Sequence, residues 1–294
     1  MQLKLDEKKI RKGRPIGLPY IGSKKKISKK LIEIIKQNFG TDKTVYDLFG
    51  GGGAITLECK LQGLDVVYND IDSIPGEMIQ KILSEDREYL KSLICSREEF
   101  FKIREKEDKT IDDHLKLLVN SFGNNCKSYL YGKEFSDFKY KLGKEIIEKH
   151  DCFKGYKQTE TYKKAVQETK NITQLEQLSQ LQQLERLAQL KNMKVTPNLE
   201  IYNKDYKEFS EIKNSIIYLD PPYKDTSFKA YKHNNLDYEN FYKWCKNMSK
   251  ENIVLISSYN MPDEFEVVYE FTKARSTMQG GAHESKYEKL SMIN

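Results

Sequence analysis

The stretch that most narrows what this chain can fold into runs from Thr44 to Asp70. Thr44-Val45-Tyr46-Asp47-Leu48-Phe49 is short, β-branched and aromatic, and it stops on four consecutive glycines, Gly50 to Gly53. A helical pattern follows through Ile55, Leu57, Cys59 and Leu61 to Gly63, and Leu64-Asp65-Val66-Val67-Tyr68 then reads as a second strand ending on Asn69-Asp70. Strand, glycine turn, helix and strand make a β-α-β unit, and an acid about 20 residues beyond the glycines is the layout that receives ribose hydroxyls in nucleotide-binding folds. Parallel strands of this kind need more strands beside them and helices over both faces.

Strand signals return at Leu199-Glu200-Ile201-Tyr202, at Ser215-Ile216-Ile217-Tyr218-Leu219 and at Asn252-Ile253-Val254-Leu255-Ile256-Ser257, with a helix expected from Tyr238 to Met248. The spacing predicts an α/β fold: a Rossmann-like, mainly parallel sheet whose second half begins near Leu199. From Ser73 to about Pro197 the chain is rich in lysine, glutamate and tyrosine and shows no clean run of buried strands, so it reads as an inserted, mainly helical domain. The expected organisation is residues 1–72 with 198–294 as one domain and 73–197 as the insert. Within the insert Leu175, Leu178, Leu181, Leu184, Leu187 and Leu190 recur every third residue. A step of three falls about 60° short of a helical turn, so these leucines wind around a straight helix packed on more than one side and do not form a single seam.

Ahead of the first strand, Ile27, Leu31, Ile34 and Ile35 form the stripe of an amphipathic helix, with Ser23 as its expected N-cap. Lys24-Lys25-Lys26 occupies the first turn, where the helix dipole disfavours cations by about 0.3–1 kcal/mol each; an anion held there would explain them. Charged residues make up 32% of the chain, mean hydropathy is −0.72, and no run approaches the roughly 18 apolar residues of a membrane span. The basic N-terminus has no apolar run behind it, so no secretory signal is read and a cytoplasmic location is expected. Five cysteines without a C-x-x-C pair or a nearby histidine point away from a metal site or a disulfide framework. The net charge of +6 is a mild excess that suits an anionic partner.

In an open parallel sheet, ligands bind beyond the carboxyl ends of the strands. Three strands end there on a glycine turn or an acid, at Gly50, Asp70 and Asp220, and so are expected to converge on one crevice. The last is followed by Pro221-Pro222-Tyr223. Two successive prolines forbid helix and ladder bonding and hold a stiff turn, which fixes Asp220, the Pro221 carbonyl and the Tyr223 ring relative to each other.

In their order along the chain, these motifs resemble the Dam-type (D12 class) N6-adenine-specific DNA methyltransferases, over residues of about 16 to 72 and 199 to 294. Pro19-Tyr20-Ile21-Gly22-Ser23-Lys24 resembles the family's aromatic-x-G-G-K cofactor motif, with Tyr20 where tryptophan is common and Ser23 where the second glycine is common. Asp47 to Gly53 resembles the F-x-G-x-G motif, Asn69-Asp70-Ile71-Asp72 the ribose-binding motif, and Asp220-Pro221-Pro222-Tyr223 the catalytic motif.

The resemblance implies S-adenosylmethionine as cofactor, held by Tyr20, Gly22, Lys24, Asp47, Phe49, Gly51, Gly53, Asp70, Asp205 and Asp220. Lys24 is expected on the methionine carboxylate and Asp70 on the ribose; Asp205 either contacts the cofactor adenine or is only a strand-end turn residue. Asp220, Pro221, Pro222 and Tyr223 are the expected catalytic set, with Phe228 or Tyr231 supporting the same pocket. The insert becomes a target-recognition domain for double-stranded DNA. In it Asn124, Asn125, Lys127, Tyr129 and Lys133 interleave amide, basic and aromatic side chains, although the aromatics could equally be the insert's own core. A monomer or weak dimer is expected. Rival readings are a methyltransferase acting on RNA adenine or a protein amide, and a non-catalytic nucleic-acid-binding relative.

Overall fold

The structure is a computed structural model that describes the chain apart from residues 1, 21, 170–176, 192–198, 223–235, 260, 272–286 and 294. The chain divides into two compact units, one made of Met1–Gly17, Gly22–Gly76 and Lys194–Asn294, the other of Leu18–Ile21 and Glu77–Met193. In chain order the helices are α1 (Lys25–Phe39), α2 (Ala54–Leu61), α3 (Ser73–Ser84), α4 (Arg87–Ser92), α5 (Arg97–Arg104), α6 (Ile111–Val119), α7 (Ser136–His150), α8 (Glu160–Glu168), α9 (Ser179–Lys191) and α10 (Tyr238–Met248).

The first unit is built on a seven-stranded sheet. Its strands are β1 (Val45–Asp47), β2 (Val66–Asn69), β3 (Glu200–Tyr202), β4 (Ile216–Leu219), β5 (Ile253–Ser258), β6 (Glu266–Phe271) and β7 (Glu288–Met292), in the order β3-β2-β1-β4-β5-β7-β6. Strands β1 to β5 pair in parallel, and β7 runs antiparallel between β5 and β6. The order reverses at β1, which has β2 on one side and β4 on the other. Beyond the carboxyl ends of β1 and β4 is therefore the switch point where open α/β sheets take their ligands.

Alternation along each strand assigns its side chains to two cores. Val45, Val66, Ile216, Tyr218 and Leu255 pack with Ile27, Leu31, Ile34 and Ile35 of α1 and Ile55 of α2. Val67, Ile217, Leu219, Val254 and Ile256 pack with Phe241, Cys245 and Met248 of α10. A sheet buried on both faces needs apolar residues at successive positions, which is why β4 reads Ile-Ile-Tyr-Leu without polar interruption.

The basic arm before α1 is partly structural. Arg11 grips the fully buried Glu58 of α2 with two bonds of 2.6 and 2.9 Å, and the Lys29 ammonium donates to the Arg11 and Gly13 carbonyls. Ser23 is not the N-cap that its position suggests: Lys24 holds the cap position of α1, no side chain caps the helix, and the buried Ser23 hydroxyl has no hydrogen-bond partner among the described residues.

The second unit is helical, and among its described residues the β pairing is an isolated bridge between Ser121 and Tyr129. Helix α9 packs on α4, α6 and α7. Its Leu181, Leu184, Leu187 and Leu190 are all buried. Turning by about 60° per step, they sweep across half the helix circumference, so the every-third-residue repeat builds one broad core face. Leu178 is also buried, and Leu175 lies outside the described residues. At the start of α9, Gln180 donates to the Cys95 carbonyl at 3.0 Å and to the Tyr129 hydroxyl at 3.2 Å, and its backbone N–H donates to the Tyr131 hydroxyl at 3.1 Å.

Candidate functional site

The chain leaves β1 through Leu48 and Phe49 into the glycine turn, and close approach of neighbours dictates the glycines. A Cβ on Gly50 would lie 2.2 Å from Cε2 of Tyr68, and Gly53, at the start of α2, takes φ of 69°, where only glycine is unstrained. Tyr68 in turn donates its hydroxyl to the Gly51 carbonyl at 2.8 Å. Asp70 closes the turn from the other side: one carboxylate oxygen accepts from the Gly51 N–H at 2.8 Å, the other from the Asp72 N–H at 2.9 Å. The Asn69 amide reaches the Leu48 carbonyl and bonds Lys204 in both directions, which ties the ends of β1, β2 and β3 together. Gly50→Ala is expected to cost about 3 kcal/mol by overpacking against the Tyr68 ring, read as a lower urea midpoint at unchanged slope. An unchanged midpoint would contradict this packing.

Asp47, the last residue of β1, is buried beneath this turn. One oxygen accepts from the Thr56 N–H at 3.1 Å and the Thr56 hydroxyl at 2.6 Å, whereas the other, also buried, has no hydrogen-bond partner among the described residues. Burial raises its pKa to about 7, with the charges of Asp220 and Asp70 adding to the effect and the Thr56 bonds opposing it. A buried carboxylate oxygen without a partner is costly, in line with the raised pKa.

At the carboxyl end of β4, Asp220 meets Lys24. The Lys24 ammonium lies 2.9 Å from Asp220 Oδ1 and 3.1 Å from Glu288 Oε1, with side chains only 11%, 16% and 8% exposed for Lys24, Asp220 and Glu288. Glu288 reaches this rim because β7 is antiparallel: Lys289 pairs with Ser258 at the carboxyl end of β5, so the first residue of β7 sits beside the last residues of its parallel neighbours. Pro221 is buried, and the Tyr238 hydroxyl at the start of α10 donates to the Pro222 carbonyl, which pins the double-proline turn. Below it, the buried Tyr218 hydroxyl donates to Ser257 at 2.8 Å.

An aromatic cluster flanks the turn. Phe49 stacks on Tyr206 with ring centres 5.9 Å apart, and Tyr206 stands edge-on to Phe241 and Trp244. Asp205 accepts from the Lys207 N–H at 2.9 Å and caps a short 3-10 turn, as a strand-end turn residue does. Gly22 has φ of 76°, and Tyr20 falls in the Leu18–Ile21 segment grouped with the second unit. Tyr223, Phe228 and Tyr231 lie outside the described residues.

Among the candidates in the second unit, Tyr129 needs correction. Its ring is buried against Phe100 and Tyr131 and its hydroxyl donates to the Cys95 carbonyl at 2.8 Å, so it has no surface to offer a nucleic acid. Asn125 turns its side-chain oxygen onto the Lys127 and Ser128 N–H groups, and Asn124 adopts φ of 58°. Lys127 and Lys133 are exposed. Glu288, Thr56, Tyr206 and Tyr238 escape the sequence reading; Tyr238 carries a signal only as the first residue of the helix expected after the catalytic motif.

Glycine turn, strand-end acids and switch point together define a Rossmann-like α/β protein. A family model described as D12 class N6 adenine-specific DNA methyltransferase matches residues 20–279, and the chain belongs to that family. No curated protein matches its sequence. Among solved structures, the rRNA methyltransferase aviRa from Streptomyces viridochromogenes is similar at 10% identity and a TM-score of 0.37, with 99% of this chain and 93% of that one covered. Among the described residues no helix is long and apolar enough to cross a membrane, and no group of three or more His, Cys, Asp or Glu side chains could hold a metal ion.

Proposed function

We propose that the chain is a site-specific methyltransferase that moves a methyl group from S-adenosylmethionine to N6 of an adenine swung out of duplex DNA. The observation that carries this reading is Asp220, held at the switch point by a buried ion pair and set on a proline turn beside the glycine cradle. The residues present fit the cofactor: the Asp47 oxygen without a hydrogen-bond partner among the described residues suits an ammonium, Asp70 stands at the carboxyl end of β2 where ribose hydroxyls are received, and Gly51 and Gly53 let backbone approach closely. Phe49 offers a ring face, and Gly22 and Asp205 complete the proposed set. When bound, the cofactor supplies a methyl group on a positively charged sulfur.

The chain's own residues deal with the amine. An adenine amine is a poor nucleophile because its lone pair is drawn into the ring. Asp220 and the Pro221 carbonyl accept its two hydrogens, which favours tetrahedral nitrogen and frees the lone pair for in-line attack. The Asp220 carboxylate then takes the proton that the methylated nitrogen sheds. Pro222 stiffens the turn, and Tyr223, by its place in the motif, stacks on the extruded base. In the second unit, Lys127 and Lys133 neutralise phosphates and Asn124 and Asn125 read base edges. Competing duplex DNA, RNA and protein for tritiated methyl from the cofactor tests the assignment: label in DNA adenine is expected, and label confined to RNA or protein would overturn it.

A further inference from the structure

We propose that Glu288 is a positioning residue for methyl transfer, acting through Lys24 on Asp220. The inference rests on the reading of Asp220 as acceptor for the adenine amine. Lysine is a compact charge on a flexible four-carbon stem with three donors, so one carboxylate leaves its ammonium free to swing about that contact. Here two carboxylates on separate strands, Asp220 after β4 and Glu288 at the head of β7, lie at 2.9 and 3.1 Å from Lys24 Nζ. All three side chains are largely buried, where such contacts are screened least.

The charge count gives the arrangement its purpose. With Glu288 removed, one of the two carboxylates that share the ammonium is lost, and the ammonium closes on Asp220 and competes with the amine for its oxygens. With Glu288 present the positive charge is divided between two carboxylates, and Asp220 stays anchored without taking the whole of it. The same count reassigns Lys24. An ammonium already faced by two protein carboxylates is a poor receptor for a third from the cofactor, so Lys24 serves the alignment of Asp220.

The test uses the full chain with Glu288→Gln, Glu288→Ala, Lys24→Met, the Lys24→Met/Glu288→Gln double variant and Asp220→Ala. Single-turnover tritium transfer to adenine-unmethylated genomic DNA at saturating cofactor is read beside cofactor affinity, taken from fluorescence of Trp244, the chain's one tryptophan. Each Glu288 variant is expected to lower the transfer rate at least about tenfold while cofactor Kd stays within about threefold. In the Lys24→Met background, Glu288→Gln is expected to change the rate by less than about threefold, as a residue acting through Lys24 must. Should Glu288→Ala fail to fold, the shape-preserving Glu288→Gln decides. Native rates in Glu288→Gln, an equal loss in both backgrounds, or a Kd that weakens in step with the rate would each overturn the proposal. An inactive Asp220→Ala beside a fully active Glu288→Gln sinks the Glu288 role alone, whereas a fully active Asp220→Ala sinks the acceptor reading with it.

Discussion

Replacing Asp220 with alanine is expected to lower the single-turnover rate of methyl transfer at least about a thousandfold, with cofactor affinity changed little. The size follows from what is lost: an anionic acceptor held in a largely buried site, where electrostatic stabilisation of a developing charge is strongest. The loss should fall on the rate because, in the proposed role, Asp220 meets an amine that becomes positive only as the methyl arrives. The fold should survive, since the Lys24 ammonium keeps Glu288 as a partner. Asp220→Asn keeps a side-chain oxygen for one amine hydrogen but cannot take up the proton, so it is expected to fall between the two. Rapid-quench measurement on adenine-containing duplex DNA checks both variants, and more than a tenth of native rate in Asp220→Ala would remove the acceptor role.

The second large effect belongs to Asp47→Asn. The asparagine oxygen can keep the two Thr56 bonds, while its NH2 takes the place of the unmet carboxylate oxygen. If Asp47 receives the cofactor ammonium as proposed, the change sets a donor where an acceptor stood, and cofactor affinity is expected to fall about 10- to 100-fold, the worth of a charge-assisted hydrogen bond. The pH dependence has a definite sign. Asp47 has a pKa of about 7 in the folded chain, against about 3.9 for a solvated aspartate, so the folded state holds this proton more tightly than the unfolded chain. The contribution of this group to stability therefore declines as pH rises from about 4 to about 7 and is level above. In the proposed role the ionised form receives the cofactor, so native affinity should tighten through the same window. In Asp47→Asn both trends should flatten, and unfolding at pH 8 should need at least as much urea as in the native chain. Equal affinity for native and variant chains at pH 8 would contradict the role given to Asp47.

Much of the sheet is legible in the residues because burial on both faces leaves a plain mark. β4 is a short apolar run and β5 opens on Ile-Val-Leu-Ile, β1 and β2 bracket a glycine turn, and α10 spans the interval its apolar spacing predicts. The antiparallel end is not legible. β6 carries glutamates at Glu266 and Glu270, and β7 reads Glu-Lys-Leu-Ser-Met, so neither shows the run expected of a buried strand. What makes them strands is the pairing of β7 with β5 and of β6 with β7, a tertiary fact.

Glu288 is hidden for the same reason. Reasoning from the carboxyl ends of parallel strands finds Asp70 and Asp220 but passes over a residue brought to that rim by the head of an antiparallel strand. Lys24 is legible as an anomaly, a cation at a helix start; its partners are not, since an anion from a ligand and two carboxylates from distant strands would leave the same trace. In the second unit, Tyr129 and Lys127 look alike as members of an interleaved segment, yet one is sealed in the core and the other exposed. Alternation of aromatic and basic residues does not say which set faces water.

The activity proposed for the chain is methylation of the exocyclic amine of adenine in DNA. Digestion of duplex DNA treated with the chain and S-adenosylmethionine, followed by mass spectrometry of the nucleosides, tests it most directly. N6-methyldeoxyadenosine should appear with the native chain and be lost with Asp220→Ala. A methyl group found on cytosine instead, or an equal yield of N6-methyldeoxyadenosine from the variant, would contradict the account.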